Sequence, residues 1–171
     1  WLRTLPPREL LSGFAEVIKH ALISSRDKWK ELLRLETLES IDWVPVIRES
    51  VWLKNQIVNS DFRDRNKRKT LNFGHTIGHA LESYSLEHEP DPMRHGEAIA
   101  LGMLGEIFLS RQLLGFPEAD ADAITNYILR HFSSVTASFD ATDVLRRMQS
   151  DKKNDNGEIR FALLRDIGNP V

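Results

Sequence analysis

The sequence predicts a mainly α-helical, multi-helix domain with one short β element near its C-terminus. Apolar residues recur at helical spacing in successive stretches from Leu10 to Met148. Pro and Gly clusters separate those stretches, as breakers do between helices. Only Glu158–Leu164 alternates in the way a half-buried strand requires. With 171 residues the chain is long enough for a full core, and one domain is the default.

The first helical pattern begins at Pro6-Pro7-Arg8-Glu9, proline being tolerated where a first-turn N–H has no partner. Leu10, Leu11, Phe14, Val17, Ile18, Ala21 and Leu22 continue it, with Gly13 a candidate interruption or kink. Glu16 and Lys19 lie three apart on one face, which read alone is a local surface ion pair. His20 is placed off that face and takes no role. Lys28–Leu38 and Asp42–Ser60 read as amphipathic helices, the second carrying Lys54 as a solvated side chain. The charged run from Ser60 to Lys69 reads as a hydrated loop.

Arg68 to Glu82 reads as a helix. At about 100° per residue, Arg68, Asn72, His75 and His79 fall within about 60° of one another. Solvated helix faces are normally built of Glu, Lys and Gln. A stripe of guanidinium, amide and two imidazoles is therefore either a polar packing face or a metal or acid–base site, since histidines at i, i+4 serve both chemistries. Ser83 to Met93, rich in Glu, Asp and Pro, reads as a connection. Arg94-His95-Gly96-Glu97 then opens the most apolar helix, which ends at Gly115 and Pro117, and its Gly102 and Gly105 would let a neighbour pack closely. Pro117–Phe132 is amphipathic with acidic residues in its first turn, and Asp140 is an N-cap candidate for Ala141–Met148. Asn156-Gly157 is a hairpin signal.

The composition narrows the function. A net charge of -2 provides no basic excess for nucleic acid. No apolar run reaches bilayer length, so no membrane partner is expected. Cysteine is absent, which leaves His and carboxylate as metal ligands and suits a reducing, cytoplasmic setting. A carboxylate with two imidazoles and an open position is a catalytic zinc arrangement. Glu16, His75 and His95, from three separate segments, form one such set. Spacing alone does not single them out among six histidines and many acids. Trp1 to Pro6 reads like the end of a longer segment, so a larger protein is expected.

Four ordered strings narrow this further: Ser12-Gly13-Phe14-Ala15-Glu16-Val17-Ile18-Lys19-His20, Leu71-Asn72-Phe73-Gly74-His75-Thr76-Ile77-Gly78-His79-Ala80, His95-Gly96-Glu97-Ala98 and Asp151-Lys152-Lys153. Together they closely resemble the C-terminal, metal-binding half of dehydroquinate synthase, along nearly the whole chain. The resemblance implies conversion of DAHP, a phosphorylated seven-carbon sugar acid, to 3-dehydroquinate in the shikimate pathway. It implies catalytic NAD⁺ and a divalent metal, Zn²⁺ or Co²⁺, and a homodimer as the full-length enzyme.

By the same resemblance Glu16, His75 and His95 match metal ligands, with His95 also at the substrate. His79 matches a residue given acid–base or phosphate-contacting work. Lys19, Lys54, Arg68 and Asn72 match substrate-binding positions, as does one of Lys152 or Lys153. Trp1 to Thr4 align with a stretch bordering the nucleotide. Asp64 stands where the family commonly has a Glu proton acceptor, and its reach is shorter. The Gly-rich loop of a Rossmann-like NAD-binding half is not among these residues, so the chain alone is expected to be inactive. A related cyclase of the inosose or valiolone synthase type, and a non-catalytic helical module, are the other readings.

Overall fold

A computed structural model describes residues 4–63, 67–135, 138–150 and 159–171. Seven α-helices account for most of them: α1 (Pro7–Ser24), α2 (Arg26–Leu33), α3 (Trp43–Ser60), α4 (His75–His88), α5 (His95–Leu114), α6 (Glu118–His131) and α7 (Ala141–Ser150). Short 3₁₀ turns cover Leu38–Ser40 and Lys67–Asn72. The described strands, β1 (Leu164–Asp166) and β2 (Asn169–Pro170), pair antiparallel. The mainly α prediction holds. Among the described residues no helix is long and apolar enough to cross a membrane.

Helix α5 is central because it is apolar nearly all round, with Ile99, Ala100, Met103 and Ile107 buried. It packs against α1, α4 and α6. The main core joins Phe14, Ile18 and Leu22 of α1 to Met103 and Ile107 of α5 and Ile124, Tyr127 and Ile128 of α6. A smaller cluster seats α7 on α4 through Leu81, Val144 and Met148. The Tyr127 hydroxyl donates to Leu32 O at 2.9 Å, which satisfies a buried polar group.

Several element boundaries differ from the sequence reading. The expected helix from Arg68 to Glu82 is two pieces, a 3₁₀ turn to Asn72 and α4 from His75, with Gly74 between them at φ 79°. A left-handed residue cannot sit inside an α-helix, so the four-residue stripe is not one continuous face. Helix α4 runs on to His88, shortening the expected connection, and α2 ends at Leu33. Gly13 does not interrupt α1, which runs unbroken from Pro7 to Ser24. The described hairpin turns at Gly168, φ 81°, and its first strand begins only at Leu164, so residues 159–163 are not the strand expected; the Asn156-Gly157 hairpin signal lies outside the described residues. The Gly168 N–H donates to Leu22 O at 2.8 Å, tying the C-terminal segment to α1.

Candidate metal centre

Close backbone approaches bring three segments together. A Cβ on Gly96 would lie 1.9 Å from Ser12 O, so only glycine lets the start of α5 rest on α1. The Gly96 N–H donates to Ser12 Oγ at 2.9 Å, which fixes the register. Glu16 is one turn beyond Ser12 on the same face, and His95 precedes Gly96. Gly102 makes the equivalent approach to Gly74 O, where a Cβ would sit at 2.0 Å. Fully buried Glu106 completes the join, accepting from Gly74 N at 2.6 Å and Thr76 N at 3.2 Å. These are first-turn donors that a helix leaves unpaired, so Glu106 acts as a remote cap that pins His75.

The result is a cluster. Glu16 Oε1 lies 3.4 Å from His75 Nε2 and 4.0 Å from His95 Nε2. The rings of His75 and His79 are 5.1 Å apart, and those of His75 and His95 5.5 Å. His75, His79 and His95 can each offer a nitrogen within 4.8 Å of the others. Four side chains therefore converge, the three named as ligands from the sequence and His79.

The protonation states follow from the partners. His75 Nδ1 lies 3.1 Å from Phe73 O. A carbonyl only accepts, so Nδ1 carries the proton and Nε2 of the neutral ring carries a lone pair. Burial and then the Lys19 ammonium push the His75 imidazole down to about 3, so it is neutral near pH 7. Burial pushes the Glu16 carboxyl up, but the Lys19 ammonium, with His75 and His20, outweighs it and holds it below its ordinary value. Glu16 Oε1 is sealed from solvent and has no hydrogen-bond partner. Two lone-pair bearers thus face one another across 3.4 Å, an arrangement that favours a cation between them. Zinc bonds of about 2.0–2.2 Å at tetrahedral angles separate ligand atoms by roughly 3.3–3.5 Å. The donor set suits Zn²⁺ or Co²⁺ and the 3.4 Å between Glu16 Oε1 and His75 Nε2 has that spacing, while His95 Nε2, at 4.0 Å, stands wider than a shared ion would hold it.

Around this centre the other sequence-derived residues divide. Lys19 Nζ donates to Glu16 Oε2 at 2.7 Å and is only 3 % exposed, so the lysine is buried against a half-buried carboxylate and the pair is not the surface bridge expected. His79 lines a cavity of about 540 Å³ between α4 and α7, with Thr76, Ser83, Arg146 and Arg147. Asn72 is half-buried at the end of the 3₁₀ turn that leads to Gly74. Arg68 is turned toward the preceding bend: its N–H donates to Asp61 Oδ2 at 3.1 Å and its guanidinium to Phe62 O at 3.4 Å. Lys54 is exposed on α3 but close enough to act electrostatically on His20. Thr4 is exposed. Trp1, Asp64, Lys152 and Lys153 lie outside the described residues.

Sequence reasoning passed over three residues that touch the site. His20 does not point away: its Nε2 is 3.9 Å from Glu16 Oε2 and its Nδ1 2.6 Å from Ser50 Oγ. Its position four after Glu16 was the available signal. Glu82 Oε2 lies 3.0 Å from His95 Nδ1. It continues the His75/His79 face at i+7, which was also legible. Glu106 carried no local signal, because its role depends on a turn thirty-two residues earlier.

Comparison with known proteins places the chain in a family. Residues 13–154 match the family described as 3-dehydroquinate synthase C-terminal. The chain is 40 % identical over 173 residues to the 3-dehydroquinate synthase of Parabacteroides distasonis, covering 98 % of this chain and 48 % of that protein. It is 42 % identical over 174 residues to that of Geobacillus thermodenitrificans, covering 98 % and 46 %. The chain thus spans about half the length of the curated relatives it matches. Among solved structures it is similar to a 2-deoxy-scyllo-inosose synthase complexed with carbaglucose-6-phosphate, NAD⁺ and Co²⁺, with TM-score 0.77, 24 % identity, and 98 % and 48 % of the two chains covered. It is also similar to a 2-epi-5-epi-valiolone synthase from Streptomyces hygroscopicus with NAD⁺ and Zn²⁺ bound, with TM-score 0.74, 22 % identity, and 98 % and 48 % covered.

Proposed function

The chain belongs to the 3-dehydroquinate synthase C-terminal family, and on that premise we propose that it is the metal- and substrate-binding half of a 3-dehydroquinate synthase, a phosphate-eliminating lyase. The proposed reaction is conversion of DAHP to 3-dehydroquinate and phosphate. NAD⁺ would be held mainly by a nucleotide-binding half outside this chain, and the whole enzyme would be a cytoplasmic homodimer. The observation that carries the reading is the sealed, unpartnered Glu16 Oε1 facing His75 and His95.

Glu16, His75 and His95 would hold Zn²⁺ or Co²⁺. When bound, the ion supplies Lewis-acid polarisation of the substrate hydroxyl that NAD⁺ oxidises. The chain's own residues bind and orient. DAHP carries a carboxylate and a phosphate, and Lys19, Lys54, Arg68 and one of Lys152 or Lys153 supply charge-assisted hydrogen bonds to such groups. Asn72 adds a neutral donor and acceptor beside the cluster. His79, among the imidazoles and on the rim of the α4–α7 cavity, exchanges a proton with the leaving phosphate or its neighbour. Asp64 would accept a proton where the family commonly has Glu. Lys19 also keeps the Glu16 carboxylate charged and directs its second oxygen away from the ligand position.

Inosose- and valiolone-type cyclases share the fold, and their substrates lack the carboxylate for which Lys54 and Arg68 are suited. The test is a chimera of this chain with the N-terminal half of the Geobacillus relative, assayed beside the intact relative. It is expected to release phosphate from DAHP with Zn²⁺ and NAD⁺ present. Turnover of a sugar 6-phosphate without a carboxylate, and none of DAHP, would overturn the assignment.

A further inference from the structure

We propose that Glu82 is the positioning residue of this centre, holding His95 in the tautomer and orientation that turn its Nε2 toward Glu16. The inference rests on the metal-centre reading and adds a residue to which no part of that reading gives work. His95 is the first residue of α5, and its side chain is 45 % exposed, so packing alone does not fix its ring. His75 is held by burial and by the Phe73 carbonyl, whereas among the described residues the His95 ring has a side-chain partner and no backbone acceptor. Glu82 supplies the missing acceptor from the next helix, its Oε2 3.0 Å from His95 Nδ1.

The chemistry follows from that bond. An ionised carboxylate only accepts, so it places the proton on Nδ1 and leaves the Nε2 lone pair of the neutral ring facing Glu16 Oε1, 4.0 Å away. The carboxylate also raises the electron density the imidazole offers a cation, as carboxylate–histidine pairs do at metal sites generally. His75, His79 and Glu82 lie at i, i+4 and i+7 on α4. One helix face therefore carries one candidate ligand, one candidate acid–base group and the support for a second ligand on α5.

Two measurements on the full chain separate this role from a surface ion pair. In ¹⁵N-histidine-labelled, metal-free protein at about pH 8, above the ordinary imidazole range, His95 is expected as the Nδ1–H tautomer. It should move toward Nε2–H in Glu82→Ala and largely stay in Glu82→Gln, whose amide oxygen still accepts. Calorimetric Zn²⁺ affinity should fall about 10- to 100-fold in Glu82→Ala and less in Glu82→Gln, with an altered Co²⁺ absorption spectrum and an unchanged unfolding midpoint. Glu82→Ala binding Zn²⁺ within about twofold of the parent, or His95 as Nε2–H in the parent, would overturn the role. His75→Ala is the discriminating control. If it too leaves Zn²⁺ affinity unchanged, the metal centre itself fails; if it abolishes binding while Glu82→Ala does not, only the role of Glu82 fails.

Discussion

Glu16 Oε1 and His75 Nε2 face each other as two lone-pair bearers, and each is oriented by something outside the pair: Lys19 for the carboxylate, Phe73 O for the ring. Removing either bearer is expected to relieve the repulsion and remove the cation affinity together. Glu16→Gln and His75→Ala should therefore each lower Zn²⁺ affinity by about 100-fold or more, beyond the effect of an outer residue, read by calorimetry. A second prediction concerns pH. Burial and then the Lys19 ammonium push the His20 imidazole down to about 4. The unfolded chain binds this proton near pH 6.5 and the folded chain does not, so metal-free stability falls as pH drops from about 6.5 to about 4 and the loss stops below that. His75, pushed to about 3, acts in the same direction. Urea midpoints at pH 7.5 and 5.0 should show the fall, by up to roughly 1.4 kcal/mol per pH unit for each such group, with a shallower slope in His20→Gln. Equal slopes would contradict it. At this scale the sequence displayed the residue types and several spacings, including Glu16/His20 and His75/His79/Glu82. It could not show that Lys19 is buried, because i,i+3 spacing is the same for a surface pair and an interior one.

At the scale of elements, the site depends on backbones that touch. Gly102→Ala would drive a Cβ to 2.0 Å from Gly74 O, separating the start of α4 from α5. Overpacking of this kind costs about 1–3 kcal/mol, and because His75 adjoins Gly74 the variant should also bind Zn²⁺ more weakly. Gly13 is the contrast: it is exposed within α1, and a Cβ there meets nothing within 4 Å. Gly13→Ala should stabilise by about 0.5–1 kcal/mol, since the native helix needs no glycine there, with metal affinity unchanged. Chemical denaturation of both variants checks the opposite signs. The sequence marked both glycines but read Gly13 as a candidate interruption or kink and Asn72–Gly74 as helix interior. What decides each case is the neighbouring element, Gly74 against Gly102 and Gly13 against solvent, and local periodicity carries no information about neighbours. Where burial dominates, as along α1, α5 and α6, apolar spacing was sufficient to find the helix.

At the scale of the molecule, α5 organises the domain by packing against both α1 and α4, so candidate ligands far apart in sequence gather at its first turn. The mainly α architecture was legible because helix period and breakers alternate cleanly. The convergence of Glu16, His75 and His95 was not, since it is a property of long-range packing, and only the resemblance of ordered motifs singled out those three. The chain spans about half of its curated relatives, and the proposal assigns NAD⁺ to the other half. With DAHP, NAD⁺ and Zn²⁺ the chain alone should therefore show negligible turnover in a phosphate-release assay, while still binding Zn²⁺.

The most direct measurement is anomalous diffraction from crystals of this chain grown with stoichiometric Zn²⁺. One peak is expected within about 2.0–2.2 Å of Glu16 Oε1, His75 Nε2 and His95 Nε2. A peak elsewhere, or none at those three atoms, would contradict the account.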